Sequence, residues 1–149
     1  MADHRSTPSI LLVEDTAEDT EFIVAAIRSI AAREQIAVAT TGDQAIDLLG
    51  QSQADGTHAL PRLVLLDLKL REDALDLLRR VRTNPSTKLV PVVMLSSIVG
   101  QPEVRKAAQL GANSFVRKPA DPLRLGDTLR SVAGYWMELN LPPPENFHA

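Results

Sequence analysis

The residues best able to do chemistry stand at the ends of short apolar runs. Glu14-Asp15 follows Ile10–Val13, Asp67 follows Leu63–Leu66, Ser96-Ser97 follows Val90–Leu95, and Lys118-Pro119 follows Ser114–Val116. Two like charges about 4 Å apart repel by roughly 4 kcal/mol at an effective dielectric of 20, so three acids brought together require a cation. Oxygen ligands without neighbouring His or Cys favour a hard ion, and magnesium is expected. A nucleophilic carboxylate, a metal, a hydroxyl and an ammonium are the parts that accept a phosphoryl group. One such acid alone would be an ordinary helix cap or loop residue. Their meeting at one edge depends on the elements that carry them.

Five apolar runs, 10–13, 36–39, 63–66, 90–95 and 114–116, read as strands. The first and third do not alternate with polar residues, as expected of parallel strands covered on both faces. Between them lie segments of helical period: Phe22, Ala25, Ala26 and Ile30; Ala45, Leu48 and Leu49; Leu75, Leu78 and Val81; Val104, Ala107, Ala108 and Leu110; Leu125, Leu129 and Val132. Thr16 is placed to cap the first helix, Asp121-Pro122 to start the last, and Gly111 to end the fourth. Strand and helix alternating five times predict an α/β fold with a doubly wound five-stranded parallel sheet in the order 2-1-3-4-5, flavodoxin-like. In such sheets the site lies beyond the carboxyl ends of the strands, at the point where the strand order reverses. The acids, the serines and the lysine all belong there.

The 149 residues, 44% hydrophobic and 23% charged, suit one globular domain. Sixteen basic against nineteen acidic residues leave a net charge of -3, which gives no general drive toward nucleic acid or a membrane. With no cysteine, disulfides and thiolate chemistry are excluded. The N-terminus lacks a secretory apolar core, so a cytoplasmic location is expected. His4, His58 and His148 are scattered and receive no role, and Arg79, Arg80 and Arg82 read as cations complementing a helix C-terminus.

The stretches Ile10-Leu11-Leu12-Val13-Glu14-Asp15, Leu63-Val64-Leu65-Leu66-Asp67-Leu68, Val92-Val93-Met94-Leu95-Ser96-Ser97 and Gly111 to Pro119 resemble the response-regulator receiver domain of two-component signalling, over about residues 9–134. The resemblance implies Asp67 as phosphoacceptor, with magnesium held by Glu14, Asp15, Asp67 and the Lys69 carbonyl. It implies Ser96 as the switch hydroxyl, Lys118 as the cation for phosphoryl oxygens, and Phe115 at the aromatic switch position. Lys69 and Ile98 fall where family members flank the path of the hydrolytic water. The expected function is a stand-alone regulator that takes a phosphoryl group from a sensor histidine kinase and signals by protein contact. A phosphorelay shuttle and a non-phosphorylated adaptor are its alternatives. A flavin or nucleotide-binding protein of similar sheet order fits poorly, because the first loop opens on acids that would repel phosphate.

Two departures stand out. The family's proline and Asp-Gly pair after the phosphoacceptor are replaced by Arg71-Glu72-Asp73-Ala74-Leu75, one residue shorter, with Asp73 and Asp76 expected to cap the third helix. Glu14 stands where Asp is more common, its longer reach suiting a contact through water. After an N-terminal tail, residues 1–8, and the domain, residues 135–149 form a C-terminal extension with no DNA-binding module. Its Tyr135-Trp136-Met137, Leu139, Leu141 and prolines are similar to the extensions of small regulators that partner bacterial phytochromes. A homodimer through the last helix, with Trp136 buried across the interface, is the expectation.

Overall fold

In the computed structural model five parallel strands form one sheet in the order β2-β1-β3-β4-β5. The residues described are 8–54, 60–69, 71–97 and 100–143, without the side chains of 52–54 and 71. The strands are β1 (Ile10–Glu14), β2 (Ile36–Ala39), β3 (Leu63–Asp67), β4 (Val92–Ser96) and β5 (Ser114–Arg117). The helices are α1 (Ala17–Arg28), α2 (Gly42–Ala54), α3 (Arg71–Thr83), α4 (Gln101–Gln109) and α5 (Pro122–Gly134), which runs on into a π-turn, Tyr135–Leu139. Among the described residues no helix is long and apolar enough to cross a membrane.

The apolar runs are buried on both faces because successive side chains of a strand point to opposite sides. Leu11, Val13, Val64 and Leu66 pack with Leu49, Leu77 and Leu78 beneath α2 and α3. Ile10, Leu12, Leu63 and Leu65 pack with Ile23, Ile27 and Leu129 beneath α1 and α5. Each such side chain contributes roughly 1.5–3 kcal/mol on leaving water, which makes these two layers the main source of stability.

Punctuation follows the sequence at three ends. The Thr16 hydroxyl accepts the Asp19 N–H at 3.4 Å, and Asp121 accepts that of Leu123 at 3.3 Å. Gly111, at φ +98°, turns the chain after α4, in the left-handed region that favours glycine. Elsewhere the structure corrects the sequence reading. Phe22, Ala25 and Ile30 do not form the inner face of α1: Phe22 and Ile30 are 39% and 41% exposed, and Ile23, Ala26 and Ile27 are buried instead. Both sets fit a helical period. The inner one is fixed by Ile23 and Ile27, four residues apart, while Ile30 lies beyond the helix end. Asp73 does not cap α3, because that helix begins two residues earlier, at Arg71, and Glu72 and Asp73 sit in its first turn. The fourth strand starts at Val92 rather than Val90, after Pro91.

The basic residues of α3 have more specific partners than the helix dipole. Arg80 pairs with Asp43 at 2.9 Å and Arg79 with Asp76 at 3.8 Å. Arg82 donates to the carbonyls of Gly111 (2.8 Å), Lys88 (2.8 Å) and Val90 (2.6 Å) and to Asn113 Oδ1 (2.8 Å). It ties the end of α3 to the strand β4 entry and the turn before β5. Burial lowers its pKa from the usual guanidinium value.

Candidate functional site

Register brings the chemistry together. Strands β1 and β3 pair so that Glu14 lies opposite Asp67, and β4 and β5 pair so that Ser96 lies opposite Arg117. The backbone ladder runs one step further, with the Lys118 N–H on the Ser96 carbonyl at 2.8 Å. Lys118 therefore leaves the sheet beside Ser96 on β4, and its side chain reaches across that strand to Asp67 on β3. Its Nζ lies 2.6 Å from Asp67 Oδ2, 3.2 Å from Asp19 Oδ2 and 3.9 Å from Glu14 Oε1. The ammonium is held by three carboxyl groups at the floor of a cleft of about 480 Å³, lined also by Lys69, Ser96 and Pro119.

Electrostatics follows from burial. Glu14 is 1% exposed, and its pKa is pushed up to about 8. Burial is the largest cause, followed by the neighbouring Asp67 carboxyl and its charge, against the Thr16 N–H and Lys118. Glu14 Oε2 accepts the Thr16 N–H and hydroxyl, each at 3.1 Å, whereas Oε1 is buried without a hydrogen-bond partner. For Lys118, burial alone would lower the pKa, but Asp67, Asp19 and Glu14 outweigh it and raise the value.

Asp15 stands apart from the pair opposite Lys118. It is exposed and accepts the Lys69 N–H at 3.4 Å. Among the described residues no three His, Cys, Asp or Glu side chains are grouped as they would be around an ion. The donors nevertheless fit a hard cation, since all are oxygens and one of them, Glu14 Oε1, is buried without a donor. Asp15 and Lys69, hydrogen-bonded to each other, flank that pair at the strand ends.

Ser96 lines both the cleft and an apolar cavity of about 30 Å³ behind it, walled by Leu66, Leu75, Met94, Glu103 and Phe115. Phe115, on β5 opposite Met94, is half-buried against that cavity. Phe115 and Ser96 thus stand on the walls of the same small apolar space. Ile98, His4, His58 and His148 lie outside the described residues. Two residues with specific contacts escaped the sequence reading: Asp19, which looks like any acid in a first helical turn, and Arg82, which looks like any cation in a last one.

A 2-1-3-4-5 sheet carrying acids, a hydroxyl and a lysine at its carboxyl edge defines a phosphoacceptor of the doubly wound class. Residues 10–130 match the response regulator receiver domain, and the chain belongs to that family. It is 30% identical to a probable methanogenesis regulatory protein, FilR2, of Methanothrix harundinacea, over 90% of this chain and 86% of the relative. It is 26% identical to response regulator Rcp1 of Synechocystis sp., over 93% and 95%. The phosphorylated cyanobacterial phytochrome response regulator RcpA superposes with a TM-score of 0.82 at 25% identity, covering 93% of this chain and all of that one. The Mn(2+)-bound form of Rcp1 gives 0.80 at 25%, covering 92% and 99%. Acceptance of a phosphoryl group in signalling is thus the role of this chain's family.

Proposed function

We propose that Asp67 is the phosphoacceptor and that a sensor histidine kinase is the donor. The observation that carries this is the 2.6 Å contact of Lys118 Nζ with Asp67 Oδ2, beside a buried Glu14 oxygen that has no donor. An Asp67 oxygen attacks phosphorus in line as the P–N bond of phosphohistidine breaks. The imidazole leaves with the electron pair, and an acyl phosphate remains on Asp67. Lys118 passes a hydrogen bond to a phosphoryl oxygen as charge grows there. Glu14, Asp15, Asp67 and the Lys69 carbonyl would hold a divalent ion, magnesium by preference, which when bound supplies positive charge beside those oxygens. Ser96 then follows the phosphoryl group and Phe115 turns inward, biasing a two-state balance on the face of α4, β5 and α5.

We take residues 9–134 as the receiver domain, with 1–8 a tail and 135–149 an extension, working in the cytoplasm without nucleic acid or membrane. Likeness to RcpA supports a phytochrome-type kinase as partner. A homodimer through the last helix and extension is supported by Tyr135, Leu139 and Leu141, which are 49%, 74% and 90% exposed. Trp136 packs partly within its own domain and Met137 is buried there, so the interface falls on those three residues rather than on Trp136. The test of Asp67 is intact mass after incubation with magnesium and acetyl phosphate. One phosphoryl group is expected on the wild type, and none on Asp67→Asn or without metal. A gain that persists in Asp67→Asn refutes the assignment.

A further inference from the structure

Lys118 carries a second close ion pair, with an acid that the reading of Asp67 does not use. Asp19 Oδ2 lies 3.2 Å from Lys118 Nζ, on the side of the ammonium that opens to the cleft, and the two side chains are 39% and 18% exposed. Asp19 is held in place by the start of α1. Its N–H caps onto the Thr16 hydroxyl, and that same hydroxyl donates to Glu14. The first turn of α1, the end of β1 and the ammonium are therefore one connected arrangement.

We propose that Asp19 is a positioning residue for phosphoryl transfer, holding the Lys118 ammonium between itself and Asp67 so that it can pass to the incoming phosphoryl group. The proposal rests on Asp67 being the phosphoacceptor. A charge-assisted bond of 2.6 Å to the attacking carboxylate stabilises the resting state. Only contacts that strengthen in the transition state accelerate the step, so a lysine settled wholly on Asp67 would slow it. Asp19 pulls the other way. An ammonium has three donors and no acceptor, and can keep one on Asp19 while another leaves Asp67 for a phosphoryl oxygen. With acetyl phosphate, the Asp67 oxygen forms the new P–O bond, the old P–O bond breaks, and acetate leaves with the electron pair. Lys118 keeps its protons throughout.

The opposing effect is that Asp19 repels an anionic donor at the mouth of the cleft. At about 0.5 M salt the screening length falls to roughly 4 Å, which damps that effect far more than the contact itself. The experiment follows phosphorylation of the full chain by acetyl phosphate and magnesium at that salt, for wild type, Asp19→Asn, Asp19→Glu, Lys118→Ala and the double variant Asp19→Asn with Lys118→Ala. Asp19→Asn should be about three- to fivefold slower, the upper end for one partly exposed ion pair, and Asp19→Glu should recover at least half of the loss. In the Lys118→Ala background Asp19→Asn should change nothing further, a coupling that a merely structural role would not produce. Melting curves check that each variant is folded. An undiminished rate in Asp19→Asn, or equal slowing with and without Lys118, overturns the proposal while leaving Asp67 in place. A wild type that takes no phosphoryl group overturns the reading of Asp67 and the proposal with it.

Discussion

Replacing Asp67 with Asn should make the metal-free protein less stable at low pH and more stable at high pH, so that the two stability curves cross. In the wild type the Glu14 pKa is pushed up to about 8 from the usual carboxylate value of 4.5, by burial first and by Asp67 next. Between those values the folded protein binds more protons than the unfolded chain. Stability is therefore fully present below the unfolded pKa and is lost as pH rises toward 8. Asp67→Asn removes the push that Asp67 exerts and leaves that of burial, so its decline is shallower. The same change forfeits the 2.6 Å contact with Lys118 at every pH. A hydrogen bond to a charged group contributes about 1.5–3 kcal/mol; with Asp19 and Glu14 still beside Lys118, the net loss is about 1 kcal/mol. Once Glu14 ionises, two carboxylates about 4 Å apart repel by roughly 4 kcal/mol at a dielectric of 20, and Lys118 between them offsets about half. The variant should then be about 1 kcal/mol below the wild type near pH 5.5 and about 1 kcal/mol above it near pH 8.5, each about 3–5 °C in melting temperature. Thermal melts in chelator across that range measure it. Parallel curves would overturn this, because Asp67 would then not be raising the pKa of Glu14.

Arg82→Ala should cost about 2–4 kcal/mol in denaturant melts, since one half-buried guanidinium serves three carbonyls and Asn113; Arg82→Lys should restore little, a point charge being unable to span that fork. Leu139→Ser with Leu141→Ser should shift the chain from dimer to monomer in light scattering without lowering its melting temperature, because both side chains are exposed. A chain ending at Gly134 is the poorer test, since it also removes the buried Met137. The acyl phosphate should be long-lived, because neither Lys69 nor Ile98 can accept a hydrogen bond to orient water; Lys69→Asn with Ile98→Glu should shorten its lifetime about a hundredfold.

The sheet was legible because its strands are buried on both faces. Ile10–Val13 and Leu63–Leu66 can hardly be anything but inner parallel strands, and once they pair, Glu14 and Asp67 must lie side by side. Strand order and register then carry Ser96 and Lys118 to the same rim without further information. The helices were less legible because a helical period leaves its phase free: Phe22 and Ala25 repeat as well as Ile23 and Ile27, and only packing against the sheet separates them. Side-chain partnership was least legible of all. Asp19 and Arg82 differ from ordinary helix-end charges only in what lies across from them, which depends on positions 99 and 29 residues further along the chain. The same limit bears on Asp15, which sequence groups with Glu14 and Asp67 but which, in this structure, is exposed and bonded to the Lys69 N–H. Backbone position sets which groups can meet, and the charge balance around Lys118 decides which of them do. Lys118 contacts Asp67 through Oδ2 alone, and a carboxylate offers a second oxygen, so an ion that drew Asp15 inward would share Asp67 with Lys118 rather than displace it.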